Sequence, residues 1–245
     1  MLFKLAWRNI WRNRNRSLIT MSAVASAVLL AVVTVSLQKG VFENLIKDLV
    51  SLYSGYIQVH AKGYWEEQTL DNSFEINDTL VQVVQQTPGV AQMAHRLETF
   101  ALASSGEKTR ACLVVGIEPE DEDALTRLTP KIQSGAMFTN NEASALVATG
   151  LAEKLGLGVN DTLVLLTQGY YGSTAAIKIV IGGLLRFGAP DLNERIAYLP
   201  LPVAQTWLDA ENRATSLVLG LENARLMSKV ERVLEHQLPG TYETL

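Results

Sequence analysis

The clearest pattern in the sequence is one unbroken apolar run near its beginning. Residues Ser17 to Leu37 read SLITMSAVASAVLLAVVTVSL and contain no charged residue, no proline and no glycine. As a helix with a rise of ~1.5 Å per residue, this run would be about 31 Å long, close to the ~30 Å hydrocarbon core of a bilayer. Its Ser and Thr hydroxyls can bond back to helical carbonyls. The pattern therefore predicts a transmembrane helix over 17–37, with span ends at Ser17 and Leu37.

Two other interpretations of this run are open. A buried core helix can be equally apolar, but core helices usually keep one polar stripe and are shorter. A cleaved signal peptide would share the basic start and an A-x-A cleavage site, here Ala25-Ser26-Ala27. That site lies in the middle of the run, and residues 28–35 stay apolar beyond it. An uncleaved membrane span is therefore the favoured interpretation.

The leader in front of the span predicts its orientation. Residues 1–16 carry five Lys and Arg and no acid. The positive-inside rule then keeps the N terminus in the cytoplasm and places the bulk of the chain outside it. The leader is either an interfacial helix on the inner leaflet or an ordinary flank that only sets topology. Its candidate interfacial anchors are Trp7, Arg8, Trp11, Arg12, Arg14 and Arg16.

Behind the span, apolar residues recur with helical spacing and polar residues fill the opposite face. This pattern predicts an amphipathic stalk helix within residues 38–54, with Gly55 ending it. The apolar face of the stalk consists of Val41, Phe42, Leu45, Ile46 and Leu49.

The remainder contains two similar strand–helix units. The first has a strand at 56–61, a polar loop at 62–73, a helix at 79–86 stopped by Pro88-Gly89, and strands near 91–104 and 110–116. The second has a strand at 216–221, a helix at 223–238 stopped by Pro239-Gly240, and a strand starting at 241. The fold class is therefore α+β, with a split βαβ subdomain of ferredoxin type formed by 55–117 and 214–245.

Residues 118–213 lie between these units and predict an inserted second α+β subdomain. Its first segment, EPEDED at 118–123, predicts a solvated helix start with Pro119 in the first turn and acids at the positive end of the helix dipole. A helix at 150–155, a strand at 162–167, a glycine-rich hairpin and a strand at 177–185 follow. Because the sequence stops where a strand begins, we expect it to be the N-terminal part of a longer chain.

Charge and cysteine content exclude several functional classes. Five of the 21 basic residues lie in the leader. Residues 17–245 therefore contain 16 basic and 25 acidic residues, and their net charge is −9. A net-acidic body lacks the basic face that a nucleic-acid partner requires. The single cysteine, Cys112, excludes an intramolecular disulfide and a cysteine-rich zinc site. It lies in the apolar sequence ACLVV and is expected to be a small buried hydrophobe.

No motif in the sequence carries recognisable catalytic or metal chemistry. The nucleotide-binding pattern G-x-x-x-x-G-K-[ST] and the nucleophile elbow G-x-S-x-G do not occur. His60, His95 and His236 lie in separate elements without metal-ligand spacing. We therefore expect no enzyme activity, no cofactor and no metal.

Five phrases occur in a characteristic order along nearly the whole chain. They are LAWRNIWRN at 5–13 leading into the span, GYIQVH at 55–60, VGIEP at 115–119, GLAEKLGLGVND at 150–161, and LNE at 192–194 with LPL at 199–201. Together they resemble ABC-transporter permeases of the MacB/FtsX/LolC-E type. The fourth phrase departs from the usual pattern, because Asn160 stands where the family has glycine; Asn also tolerates a left-handed backbone.

The resemblance implies a permease of the bacterial inner membrane with a MacB-like periplasmic core, made of a porter-like part and an inserted lobe. Such a permease forms a homo- or heterodimer with a second permease and pairs with a separate cytoplasmic ATP-binding subunit. ATP hydrolysis moves the helices and stalk, and the outer domain follows, so the substrate need not cross the bilayer core. The implied partners are membrane lipid and a periplasmic protein or lipoprotein, with lipoprotein release as the first choice. The family has three further transmembrane helices, which this sequence lacks.

A second hypothesis needs no ATPase. The chain would then be a single-pass adaptor or sensor whose extracytoplasmic domain binds a protein and whose stalk dimerises it. A third hypothesis is an extracytoplasmic enzyme, but no group of potentially catalytic residues in the sequence supports it.

Overall fold

A long helix, α1, runs from Arg14 to Leu49. The computed structural model describes residues 14–49 and 55–244, and between 39 and 49 it describes the backbone alone. With 36 residues, α1 is about 54 Å long and contains the whole predicted span 17–37. As expected, hydroxyls inside the span bond back to helical carbonyls, such as Thr34 Oγ1 to the Leu30 carbonyl at 2.8 Å. The helix continues without a break into the region predicted as the stalk.

The remaining described residues form strands and short helices. In chain order they are β1 (Ile57–Ala61), α2 (Tyr64–Glu67), β2 (Phe74–Glu75), α3 (Asp78–Gln85), β3 (Val90–Ser105), β4 (Lys108–Ile117), α4 (Pro119–Thr126), β5 (Ile132–Gly135), β6 (Ser144–Ala148), α5 (Thr149–Leu155), β7 (Thr162–Gln168), β8 (Thr174–Leu185), α6 (Pro190–Asn193), β9 (Ile196–Pro200), α7 (Leu201–Trp207), β10 (Arg213–Ala214), β11 (Ser216–Leu221), α8 (Met227–Gln237) and β12 (Tyr242–Thr244).

Four of these strands form the predicted split βαβ arrangement. β12, β1, β11 and β3 lie side by side in that order, and every neighbouring pair is antiparallel. α3 connects β1 to β3, and α8 connects β11 to β12. The two helices bury Leu80, Val84, Val230 and Leu234 in one cluster with residues of the sheet. The expected α+β fold class is therefore confirmed.

The helix boundaries of this part have local causes. α3 begins at Asp78 because the side chain of Asn77 accepts a hydrogen bond from the Leu80 N–H at 2.8 Å. It ends at Gln85, just before the predicted stop at Pro88-Gly89. Gly89 takes a φ of +102°, a backbone conformation that glycine adopts without the steric cost of a side chain. The chain can therefore turn directly from the helix into β3.

Six strands close a ring that the sequence pattern did not predict. β3 pairs with β4, β4 with β9, β9 with β6, β6 with β8, β8 with β7, and β7 again with β3 at Leu102–Ser104. Alternate residues of these strands fill the ring, among them Ala101, Ala103, Cys112, Leu163 and Leu165, all buried in one cluster. The ring therefore has its own hydrophobic interior.

Strand β3 belongs to both sheets. Its first half, Val90–Arg96, pairs with β11, and Leu102–Ser104 near its end pair with β7. The hairpin partner β4 pairs with β3 over its whole length. One strand is thus common to the split βαβ part and the ring. The subdomain boundary predicted at residue 118 stays a prediction.

Residues 62–73 were expected to be a polar loop, and this was wrong. They contain the helix α2 and a 3-10 helix over Leu70–Asn72, and they bury Tyr64 and Leu70. The apolar residues in this segment are isolated and fit neither helical nor strand periodicity, so only contacts with the sheet reveal their role.

The sequence also missed β6 and β9. Each of these five-residue strands is buried along its whole length. A strand buried on both faces shows a continuous apolar run, without the alternation that marks a half-buried strand.

Candidate functional site

The apolar part of α1 is the first candidate site. Between Arg14 and Gln38 it has 25 residues with a mean hydropathy of 2.4, long and apolar enough to cross a bilayer. Its large apolar side chains, from Leu18 to Leu37, are 46% to 69% exposed. A helix that is apolar on all sides and is not covered by other parts of the protein is unfavourable in water, but it is stable in the hydrocarbon core of a bilayer. The chemistry of this segment is therefore that of a membrane anchor.

The predicted anchors and stalk face are only partly described. Arg14 and Arg16 lie exposed in the first turn of α1, next to Ser17. Trp7, Arg8, Trp11 and Arg12 lie outside the described residues. The stalk positions Val41, Phe42, Leu45, Ile46 and Leu49 lie on helical backbone, and their side chains are not described. Their roles stay predictions.

A buried ion pair lies where the sequence predicted a solvated helix start. Glu122 of α4 and Arg96 of β3 are both fully buried, and two hydrogen bonds of 2.8 and 2.7 Å join the guanidinium to the carboxylate. Thr126 Oγ1 adds a hydrogen bond of 2.9 Å to the same carboxylate. α4 does begin at Pro119 with acids in its first turn, as predicted. The expectation of full solvation was wrong, because helical spacing turns Glu122 inward.

Further titratable groups surround this helix. His95 Nδ1 lies 3.4 Å from Glu118 Oε2, and this hydrogen bond is the main cause that lowers the pKa of Glu118. Burial and the charge of Glu118 raise the pKa of Asp121. Burial lowers the pKa of Lys131 to about 8, although the charge of Glu122 acts in the opposite direction. At the N-terminal end of α4, the contact between His95 and Glu118 joins the helix to β3, and Lys131 lies beyond its C-terminal end, where its Nζ donates to the Thr126 carbonyl at 2.6 Å.

The lowered pKa of Lys131 predicts a pH dependence of stability. In the folded chain Lys131 loses its proton near pH 8, and in the unfolded chain near pH 10.5. The unfolded state then binds more protons within this window, so rising pH favours the folded state. We expect the melting temperature of the wild type, relative to Lys131→Met, to rise between about pH 8 and pH 10.5. A difference that is flat or falls over this window, measured in detergent solution, would contradict the assignment.

A group of aromatic residues around Glu98 is the site that the sequence missed. His60 of β1 stacks on Tyr64 of α2 with ring centroids 4.9 Å apart, and Trp65 lies 6.2 Å from the same imidazole. Glu98 and Phe100 of β3 face them across a small cavity. The adjacent Tyr64-Trp65 pair, directly behind a half-buried strand, was the only signal in the sequence.

The three histidines of the sequence, His60, His95 and His236, lie apart in the structure. His60 and His95 are buried in different strands, and His236 lies on α8. Within residues 14–49 and 55–244, no three His, Cys, Asp or Glu side chains come together as metal ligands would. Cys112 is buried, and burial raises the pKa of its thiol to about 12. Its expected role as a small core hydrophobe is confirmed.

These features define a class of protein: an α+β domain, in which a closed ring and a split βαβ sheet share strand β3, that follows a membrane-anchoring helix. The chain belongs to the family with a MacB-like periplasmic core domain, whose family model matches residues 17–237. The match begins at Ser17, the first residue of the apolar run, so it includes the whole run as well as most of the domain. Proteins of this family are permease components of ABC transporters, which work with an ATPase. The resemblance that the five phrases indicated is thereby confirmed.

Two solved structures have the same fold. The extracellular domain of the noncanonic ABC-type transporter YknZ from Gram-positive bacteria is 18% identical, with a TM-score of 0.54; the match covers 77% of this chain and 98% of that one. The periplasmic region of MacB from Actinobacillus actinomycetemcomitans is 8% identical, also with a TM-score of 0.54, and the match covers 77% of this chain and 87% of that one. At such identities the likeness concerns the fold alone.

Proposed function

We propose that this chain is the N-terminal portion of an ABC-transporter permease that works by mechanotransmission. The observation that carries the proposal is the continuity of α1, which leaves the apolar span and continues to Leu49 without a break. A hydrogen-bonded helix transmits motion along its axis better than a flexible linker does. Movements of the span would thus be passed on toward the domain that begins at Gly55.

The energy for this motion would come from another subunit. The sequence has no nucleotide-binding motif, so a separate cytoplasmic ATP-binding subunit would hydrolyse ATP. The transport unit would contain two permease chains, either identical or related. The basic leader supports an N terminus in the cytoplasm and a domain in the periplasm of a bacterial inner membrane. A lipoprotein is the preferred cargo, since its release requires no passage through the bilayer core.

The architecture of the outer domain supports a two-part design. We propose that 55–117 and 214–245 form the porter-like subdomain and that 118–213 form the inserted one. β3 would then serve as the common element, because it pairs with β11 in the first and with β7 in the second. A single strand paired along both halves cannot bend freely, so both parts would move together.

Co-purification is the direct test of this function. The natural operon, with an affinity tag on this chain, is expressed and extracted in a mild detergent. We expect a nucleotide-binding subunit to co-elute in a fixed ratio and to hydrolyse ATP, with inhibition by vanadate. A tagged chain carrying the unrelated membrane helix of a single-pass protein in place of residues 17–37 serves as the control and should lose the subunit. Elution of the intact chain without any nucleotide-binding subunit would favour the adaptor or sensor hypothesis instead.

A further inference from the structure

A small cavity on the outer face of β3 has the composition of a cation-binding site. Its volume is about 230 Å³, and it lies between β1, α2, β3 and β4. Pockets for drug-sized ligands usually have ~300–1,000 Å³, so this one fits a single side chain better than a whole cofactor. We call it the aromatic cavity; it is lined by Gln58, His60, Tyr64, Trp65, Gln68, Glu98, Thr99, Phe100 and Leu113.

Aromatic rings form the walls of the aromatic cavity. His60 and Tyr64 stack with an angle of 9° between their planes, and Trp65 is tilted by 49° against the imidazole. Trp65 is 56% exposed and Phe100 is 62% exposed, which is unusual for such large apolar side chains. The two exposed rings, Trp65 and Phe100, are therefore accessible to a cation that enters the cavity.

Glu98 supplies a negative charge to the aromatic cavity. Its Oε1 atom is shielded from solvent and has no hydrogen-bond partner within the described part of the chain. His60 does not neutralise it, because burial lowers the pKa of this imidazole and its Nδ1 lies 2.8 Å from the Thr215 carbonyl. Burial and the charge of Glu98 raise the pKa of Tyr64. Glu98 is half-buried, and a carboxylate with one shielded, unbonded oxygen gains from a cation that displaces water in front of it.

An apolar strip continues from the aromatic cavity along the outside of the ring. Phe100 and Leu102 are two residues apart on β3 and point outward, and Leu166 lies opposite Leu102 on β7. All three are exposed. A ligand that fills the cavity would therefore have an apolar surface directly beside it.

We propose that the aromatic cavity binds an arginine or lysine side chain of a protein partner, whose neighbouring apolar residues pack on Phe100, Leu102 and Leu166. Charge complementarity with Glu98 and the size of the cavity both select such a side chain. The amine of a lipid headgroup is the competing source of a cation, but it brings a phosphate close to a carboxylate. The apolar strip matches a peptide with apolar neighbours around its cation.

The test is a titration of the full chain in detergent micelles with a short peptide. The probe is acetyl-Leu-Arg-Leu-Leu-amide, and its control carries citrulline, which has the shape of arginine but no charge. The protein is labelled with 5-fluorotryptophan at its four tryptophans, and Trp65→Phe assigns the resonance of Trp65 in the ¹⁹F spectrum. We expect the arginine peptide to shift this resonance and to bind roughly tenfold more tightly than the citrulline peptide. Equal affinity of the two peptides would overturn the proposal.

Matched variants separate binding from folding. Glu98→Gln keeps the shape of the cavity and is expected to weaken the arginine peptide by roughly tenfold, while Glu107→Gln in the exposed β3–β4 turn should change nothing. Phe100→Ala should weaken it as well, and Met227→Ala, at an exposed position on α8, should not. If Glu98→Gln binds like the wild type, or if phosphoethanolamine shifts the Trp65 resonance and the peptide does not, the proposal is wrong. The titration needs no ATPase, so its failure would leave the transport proposal intact.

Discussion

Replacing Glu122 with glutamine is expected to lower the free energy of unfolding of the outer domain by ~3–5 kcal/mol. The change removes the negative charge that faces the fully buried Arg96 guanidinium. It also replaces one of the two oxygens that accept the hydrogen bonds of 2.8 and 2.7 Å with an amide NH₂ group, which cannot accept. A buried charge without its partner carries the whole desolvation penalty, which is larger than the net value of the pair. Urea titration of the detergent-solubilised chain, followed by circular dichroism, measures the loss.

Two variants test whether the cost comes from the loss of the negative charge beside Arg96. Glu120→Gln changes an exposed acid of the same helix α4 and is expected to stay within ~0.5 kcal/mol of the wild type. Adding Arg96→Met to Glu122→Gln removes the buried guanidinium as well and should recover roughly half of the lost stability or more. If Glu122→Gln were as mild as Glu120→Gln, the ion pair would not hold α4 against β3.

Two aspartates in the middle of the apolar run are expected to abolish membrane insertion. Each Asp near the centre of a span costs about 3 kcal/mol, so Val24→Asp with Val28→Asp costs roughly 6 kcal/mol. The reporter is Tyr171→Cys, a position that is 79% exposed on the outer domain. The native Cys112 gives little background, because it is buried and burial raises the pKa of its thiol. We expect a membrane-impermeant maleimide to label the reporter in intact spheroplasts, and the Asp pair to lose this labelling.

The control for this experiment is Val24→Leu with Val28→Leu, which keeps the run apolar and should be labelled like the parent. Extraction with alkaline carbonate gives a second readout: the parent stays in the pellet, and the Asp variant moves to the supernatant. Labelling of the parent only after lysis would contradict the proposed orientation. Retention of the Asp pair in the pellet, with normal labelling, would contradict the span itself.

Strand β3 connects the buried ion pair with the aromatic cavity. Arg96 lies where β3 leaves β11, and Glu98 and Phe100 lie between that point and the pairing with β7 at Leu102. The buried ion pair therefore fixes the segment of β3 that also forms one wall of the aromatic cavity. A loss of the pair should loosen this wall, so Glu122→Gln offers a way to separate the rigidity of the cavity from its charge.

The predictions that were confirmed depend on interactions between residues that are close together in the sequence. The apolar helix that contains 17–37 needs no packing partner to be recognised, because its length and composition alone are those that cross a bilayer. The helix at 78–85 begins directly after its capping residue, Asn77. The turn that follows it needs a positive φ at Gly89, and glycine is the residue type that adopts this conformation at little cost. Asn160, expected to tolerate a left-handed backbone, has a φ of +72°. In the same way the order strand, helix, strand, repeated twice, already contained the split βαβ arrangement.

What the sequence by itself determined, then, is the anchor, the fold class and the family, since each depends on local periodicity or on short phrases. Only the tertiary structure decided that β7 returns to β3 and closes a ring, that Glu122 turns inward to meet Arg96, and that Trp65 and Glu98 line the same cavity. The residues in these contacts are 26 to 64 positions apart in the sequence and lie on different elements of the fold. Such pairings depend on how the strands are arranged in the closed sheet, and a local pattern of apolar and polar residues does not predict this arrangement.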